Sequence, residues 1–170
     1  MDIHEVIRQR RSVRAYTRQP VSDAQLERLL QAVRWAPSAR NLQPYRLVVV
    51  RDAATRRVLA QAANEQEHVE QAAVVIAAVA LDPERVMTCR TPACPVDVAI
   101  ALTNLTLAAT AEGLGTCWIG AFQQDRVRQI LGVPDTCQVT LMMTLGHPAD
   151  QPGERTRKPL EELVCWEAFS

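Results

Sequence analysis

The spacing of apolar residues divides the chain into helices and short strands. Ile3, Val6 and Ile7 recur at helical spacing, whereas residues 74–81 form the unbroken apolar run of a strand buried on both faces. The pattern predicts helices over residues 2–10, 23–36, 53–63, 96–112 and 123–131, and strands over residues 47–50, 74–81, 116–119, 138–146 and 164–166. The predicted helices contain more residues than the predicted strands and separate them by crossover lengths, which favours one helix-covered sheet of mixed α/β or α+β class.

Local signals support the helix boundaries. Ser22 is followed three places later by Gln25, which is the spacing of a capping box, and the helix after it must stop before Pro37. Gly113 and Gly132 each follow a predicted helix, where a residue without a β carbon is favoured. The chain contains no internal repeat, linker or low-complexity segment, so we expect a single domain over residues 1–170.

The stretch from Val96 to Ala111 is the most apolar part of the chain. It is shorter than the ~20 residues that a bilayer requires, and it contains Asp97, Asn104 and three threonines. A helix that is apolar on nearly all sides is buried all round. In so small a domain such burial needs a second subunit, so helix 96–112 is a candidate dimer core.

Composition excludes several functional classes. The 170 residues carry a net charge of zero, which gives no global field for attracting nucleic acid. The N-terminus lacks the basic start and apolar run of a signal peptide, so we expect a cytoplasmic protein. Five cysteines, an odd number, argue against a disulfide scaffold, and no second close pair joins Cys89 and Cys94 to make a zinc site.

Two segments near the N-terminus carry the candidate chemistry. Arg10, Arg11, Ser12 and Arg14 place three guanidiniums and a hydroxyl at a helix end, a combination that matches the oxygens of a phosphate. The polar loop over residues 36–44 lies between a helix and a strand and can read the edge of a flat heterocycle. Together they indicate a cofactor with a phosphate at one end and a polar ring at the other.

Several motifs of other enzyme classes are missing from the sequence. No Gly-x-Gly-x-x-Gly follows a strand, no Walker loop or Gly-x-Ser-x-Gly elbow is present, and the three histidines are dispersed. We therefore predict no catalytic side chain and no metal, with the chemistry carried by a bound cofactor.

Four motifs in order resemble the signatures of the nitroreductase family of FMN-dependent NAD(P)H oxidoreductases, and of its compact NADH oxidase-like members in particular. They are Arg10-Arg11-Ser12-Val13-Arg14-Ala15-Tyr16, residues 36–45, residues 112–122 and residues 155–164. The resemblance implies an α+β, nitroreductase-like fold. A helix-rich domain would surround a mainly antiparallel sheet, with helix 96–112 at the interface of a homodimer. It also implies FMN at that interface and NADH or NADPH as electron donor.

The resemblance also implies roles for individual residues. Hydride would pass through flavin N5, which faces the backbone of Gly120 and Ala121, to a nitroaromatic, quinone or flavin in a ping-pong mechanism. Arg40 stands where compact members can have an aromatic residue, which implies a more cationic substrate face. The implied FMN-binding residues are Arg10, Arg11, Ser12, Arg14, Gln66, Ile119, Gly120, Ala121, Arg155 and Arg157, with Pro37, Ser38, Ala39 and Asn41 from the other subunit.

Other interpretations stay open at this point. The first-motif arginines can stabilise a helix dipole, Arg155 and Arg157 can be solvated, and Ser38 and Asn41 can satisfy loop backbone. The protein can also bind FMN without turnover, or carry out specialised flavin chemistry on the same fold. The segment from Leu81 to Pro95 is expected to border the active site and to set substrate choice.

Overall fold

Four antiparallel strands form the sheet on which the fold is built. The computed structural model describes residues 1–150, 153 and 155–169. The strands are β1 (Tyr45–Val50), β2 (Val74–Ala80), β3 (Gly115–Ile119) and β4 (Gln138–Gly146), in the spatial order β1-β2-β4-β3. All three pairings are antiparallel, which confirms the predicted α+β class with a mainly antiparallel sheet.

Six α-helices pack around this sheet in the described part of the chain. They are α1 (Ile3–Gln9), α2 (Asp23–Arg34), α3 (Ala53–Ala62), α4 (Glu67–Gln71), α5 (Ala93–Ala111) and α6 (Gln124–Leu131). One core lies between the sheet and α2 and α5, and includes Leu29, Leu102 and Met143. A second core lies on the opposite face against α3 and α6. As the apolar run predicts, every residue of β2 is buried, because both faces of this central strand are covered.

The helix ends follow the local signals. The Ser22 hydroxyl accepts from the Gln25 N–H at 3.2 Å, and the Gln25 side chain accepts from the Ser22 N–H at 3.1 Å, which confirms the capping box. Helix α6 ends at Gly132, which has a φ of 64°, in the left-handed region that favours glycine.

Helix α5 begins three residues earlier than predicted. Pro92 is its N-cap, and Pro95 lies within the first turn, where a missing N–H breaks no helical hydrogen bond. In length and composition α5 could cross a membrane, but half of its apolar window is buried in the fold. It is not buried all round within one chain, because Val96 and Thr103 are exposed.

Two further details differ from the predictions. Residues 164–166 form no strand, because the tail runs exposed over the surface and pairs with no other strand among the described residues. The short helix α4 was not predicted. It is stabilised by α3, where Arg57 Nε lies 2.9 Å from Glu70 Oε1, a contact that local sequence does not reveal.

Candidate functional site

The first arginine motif follows α1 and runs in extended form beside β3. Ser12 forms a parallel bridge with Thr116, and the Val13 N–H donates to the Thr116 carbonyl at 2.9 Å. The buried Tyr16 hydroxyl then donates to the Val13 carbonyl at 2.8 Å and lies 2.7 Å from Thr144 Oγ1. These bonds fix the motif against the third motif, so that residues 10–16 and 115–121 share one side of the molecule.

Guanidiniums gather where α1 ends. Burial lowers the pKa of Arg10, and the positive charges of Arg157, Arg11 and Arg155 lower it further. Within the described residues, none of these four arginines forms an ion pair with a carboxylate. Like charges held together without a counter-ion favour a bound anion, and the planar forks suit a phosphate.

Arg11 also caps the C-terminal end of α1. Its Nη1 donates to the carbonyl oxygens of Arg8 and Arg10, which are the free acceptors at the end of α1. The helix-dipole interpretation of this arginine is therefore realised in the structure, and Arg11 also lines a cavity together with Arg155 and Arg157. Arg155 and Arg157 are exposed, but they lie near enough to Arg10 for their charges to lower its pKa. The fourth motif therefore lies beside the first.

Two of the cavities that border the motif matter for the arginine cluster. One of about 310 Å³ is lined by Arg10, Ser12, Thr103, Thr106, Thr116 and Trp118. The other, of about 400 Å³, is lined by Ile7, Arg8, Arg11, Arg155 and Arg157. Sequence reasoning missed the two α5 threonines, although Thr103, three places before Thr106, places both on one helix face. Trp118 Nε1 donates to Thr106 Oγ1 at 3.2 Å, so the indole packs on α5 and also faces the cavity.

Arg14 lies on the same side of the molecule as the start of α4. Burial lowers the pKa of His68, and the charge of Arg14 lowers it further. Two residues earlier, Gln66 Nε2 donates to the Ala63 carbonyl at 2.7 Å and to the Ala121 carbonyl at 3.0 Å. Because carbonyls only accept, these bonds fix the orientation of the amide and turn its oxygen away from them.

The C-terminal end of the third motif is exposed to solvent. Gly120 and Ala121 are exposed, and a β carbon at Gly120 would meet only Leu141, at 3.8 Å. Ile119 differs from them because its side chain is buried in the core, so only its backbone is available to a ligand. The structure thus joins Gln66 to Ala121, beside Gly120, and Arg14 acts by its charge on His68, two residues after Gln66.

The second motif forms a tightly wound loop. Arg40, Asn41 and Gln43 have φ values of 55°, 56° and 49°, although none is glycine. The Ser38 hydroxyl accepts from the Gln43 N–H at 3.0 Å, so the backbone role of Ser38 is realised, and its own O–H is available to donate. Asn41 likewise accepts from Gln43 Nε2, at 3.2 Å. Pro37 and Arg40 are exposed, and Ala39 is half-buried.

This loop and the arginine motif lie at opposite corners of the sheet. The loop leads into β1 at Tyr45, the first residue of that strand. Thr116 of β3 pairs with Leu145 of β4, which pairs with Val74 of β2. Val74 lies one residue past Val75, the partner of Val50 at the other end of β1. That offset corresponds to about 20 Å along the strands and about 14 Å across three strand spacings. Within one chain the loop is therefore far from the arginine motif, whereas Ile119 at the other end of β3 is level with Val48 and separated from β1 by the three strand spacings alone.

The segment before α5 forms a small hairpin beside this loop. Met87 N–H donates to the Thr91 carbonyl at 2.9 Å, and Ala93 N–H donates to the Arg85 carbonyl at 2.9 Å. The hairpin base is joined to the loop because Leu81 N–H donates to the Pro44 carbonyl at 2.9 Å. Its exposed tip carries Cys89 and Arg90.

Comparisons with known proteins agree on one family. The model of the nitroreductase family matches residues 7–93 and 66–147. An NADH dehydrogenase of Thermus thermophilus is 34% identical over 98% of this chain and 96% of its own length. An FMN reductase [NAD(P)H] of Bacillus subtilis is 31% identical over 94% of this chain and 71% of its own length.

The fold is similar to that of a solved flavin enzyme. NADPH:FMN oxidoreductase from Vibrio harveyi, complexed with NAD+, superposes with a TM-score of 0.91 and 32% identity. The match covers 99% of this chain and 78% of that one, so it includes all four sequence motifs.

Proposed function

The chain belongs to the nitroreductase family, and from that premise we propose that it is an FMN-dependent oxidoreductase acting on NADH or NADPH. When bound, FMN supplies the hydride chemistry at its N5 atom, which explains why the chain needs no side-chain nucleophile. The acceptor is a small molecule such as a nitroaromatic, a quinone or a flavin. Neither nucleic acid nor a membrane is required, and the proposed location is the cytoplasm.

The observation that carries the proposal is the arginine cluster at the end of α1. Arg10 is held near Arg11, Arg155 and Arg157 even though their charges lower its pKa and no carboxylate among the described residues balances them. Such repulsion is relieved when an anion binds. The cluster fits the FMN phosphate, and the adjacent Ser12 can donate to a phosphate oxygen.

The second group of residues fits the flavin ring. Arg14 supplies a positive charge beside the Gln66–His68 segment, suited to the pyrimidine edge where reduced flavin is negative. The Gln66 amide is fixed by the carbonyls of Ala63 and Ala121, which leaves its oxygen to accept from the ring. The exposed backbone of Gly120 and Ala121 is assigned to the N5 edge, because it is open to solvent and Gly120 carries no side chain to cover it.

The separation of the loop from the other motifs supports a homodimer. Pro37, Ser38, Ala39 and Asn41 lie three strand spacings across the sheet from β3 and at the opposite end from the arginine motif, so we assign them to the ring bound by a second subunit. The exposed apolar residues Ile3 and Ile7 on α1, and Leu163 and Trp166 in the tail, provide area that such a dimer would bury. We place FMN between the two subunits, with Arg40 of the loop near the substrate.

Paired ligands test this site directly. Flavin-free protein is titrated with FMN and with riboflavin, which differ only by the phosphate, and binding is followed by quenching of flavin fluorescence. The guanidinium cluster predicts that FMN binds at least about 100-fold more tightly, since charge-assisted bonds to phosphate are lost with riboflavin. Equal affinities, or no binding of either ligand, would overturn the proposal.

A further inference from the structure

Asp97 is a buried carboxylate in α5 that none of the sequence motifs includes. Only 2% of its surface is exposed. One oxygen, Oδ1, accepts from the Ala39 N–H at 2.8 Å, while Oδ2 is buried without a partner among the described residues. Burying a carboxylate is unfavourable unless its hydrogen bonds compensate, so its presence at this position requires an explanation.

The explanation lies in the loop that Asp97 contacts. Arg40, Asn41 and Gln43 all adopt left-handed backbone conformations, which residues with side chains hold only where the surroundings impose them. The bonds from Ser38 and Asn41 to Gln43 are internal to the loop and cannot fix its position on the fold. Among the described residues, the Gln43 carbonyl accepts from the Tyr45 N–H at 2.8 Å where the loop joins β1, and the Asp97 bond is the hydrogen bond that ties residues 38–42 to an element distant in sequence.

The remaining contacts of the loop lie at its ends. After the loop, the Pro44 carbonyl accepts from Leu81 N–H at 2.9 Å and from Cys94 Sγ at 3.7 Å. Before it, the Ala36 N–H donates to the Val33 carbonyl and so continues α2. Between these anchors, residues 38–42 have one hydrogen-bonding partner outside the loop among the described residues. That acceptor is held rigidly by α5, because its first turns are packed in the core.

We propose that Asp97 is a positioning residue for the FMN site, which holds the 38–43 loop in the form that meets the cofactor of the partner subunit. This inference rests on the proposed function, because the loop is assigned to the flavin only there. The carboxylate acts through the Ala39 backbone and touches neither cofactor nor substrate. An acceptor at Oδ1 is the required feature, so asparagine is expected to replace aspartate in this role.

Three variants separate positioning from general stability. Asp97→Ala removes the acceptor, Asp97→Asn keeps it, and Val98→Ala opens a cavity at the next, fully buried residue of α5 without touching the loop. FMN affinity is measured for each by fluorescence quenching, alongside the melting temperature. We expect Asp97→Ala to weaken FMN binding roughly tenfold or more, Asp97→Asn by less than about threefold, and Val98→Ala to lower the melting temperature with near-normal affinity.

A second readout does not depend on the flavin. Arg40 is exposed in the loop, so brief trypsin treatment with mapping of the fragments reports cleavage after Arg40. Cleavage there is expected to be several times faster in Asp97→Ala than in the wild type and Val98→Ala. If the wild type binds FMN and Asp97→Ala matches it in affinity and cleavage, this inference is wrong while the proposed function stands. If the wild type binds no FMN, the proposed function fails, and positioning of FMN by Asp97 fails with it.

Discussion

Gly115 and Val13 lie so close together that no side chain fits between them. A β carbon built on Gly115 would stand 2.6 Å from Val13 Cγ2 and 2.7 Å from its Cβ. Val13 is buried and β-branched, so it cannot turn aside. The glycine of the third motif therefore allows the first motif to lie against β3, which brings the arginines beside the strand that leads to Gly120.

Gly115→Ala is expected to destabilise the protein by about 1–3 kcal/mol, because overpacking forces Val13 and its segment away from β3. FMN affinity should fall as well, since the arginines move with that segment. Urea unfolding measures the first effect and flavin quenching the second. Gly120→Ala is the control for stability, because its β carbon meets only Leu141, at 3.8 Å. Equal loss of stability in both variants would contradict this account of Gly115.

Arg10→Gln is expected to weaken FMN binding about 10–100-fold, the effect of losing charge-assisted hydrogen bonds to a phosphate. In flavin-free protein the same change should leave the melting temperature unchanged or raise it, because Arg10 is half-buried and its neighbours repel it. Arg126→Gln, on the exposed face of α6, is the matched control. If Arg10→Gln and Arg126→Gln bind FMN equally, the arginine cluster is not the phosphate site.

His68 should make the protein less stable in mild acid. Burial and Arg14 hold its folded-state pKa below the usual 6.5, so the unfolded chain takes up the proton first as pH falls. The free energy of unfolding should therefore decline as the pH falls below 6.5 toward the lowered pKa. Urea midpoints at pH 7.5, 6.5 and 5.5 should show this decline in the wild type and a flatter profile in His68→Gln. His4→Gln, at an exposed position, should follow the wild type, and parallel profiles for all three proteins would count against the assignment.

The apolar tail predicts a dimer that depends on it. Leu160, Leu163, Trp166 and Phe169 are 70%, 63%, 84% and 99% exposed in the single chain. Sedimentation should give twice the chain mass of 18.9 kDa, and removal of residues 160–170 should weaken the dimer at least about 100-fold. Val58→Ser, on α3, removes an exposed apolar side chain elsewhere and should leave the dimer intact. A monomeric full chain, or an unchanged dimer after truncation, would refute this prediction.

Much of the fold is readable from local patterns. The capping box at Ser22, the glycine that ends α6 and the continuous apolar run of β2 are short-range signals, and the structure follows each of them. Residues 164–166 were also predicted as a strand from a short apolar pattern, and that prediction is wrong. Apolar spacing identifies residues that need cover, but a strand also needs a partner with which to pair.

The candidate site is less accessible to sequence reasoning where it depends on distant pairs. Neither the bond from Asp97 to Ala39, 58 residues apart, nor the contact of Gly115 with Val13 leaves a local pattern. The polar groups that could be predicted stand in consecutive runs, such as Arg10 to Arg14. The cavity-lining threonines were not assigned to the site, because they lie in the most apolar stretch of the chain, which is interpreted as a buried helix.

Anaerobic reduction of the bound flavin tests the central claim most directly. The FMN-loaded protein is placed under an inert atmosphere, and its visible spectrum is recorded before and after addition of NADH and, separately, NADPH. We predict that at least one nucleotide bleaches the yellow absorbance and that a quinone or nitroaromatic then restores it. A protein that holds FMN but is bleached by neither nucleotide would contradict an oxidoreductase and would identify a flavin-binding protein without turnover.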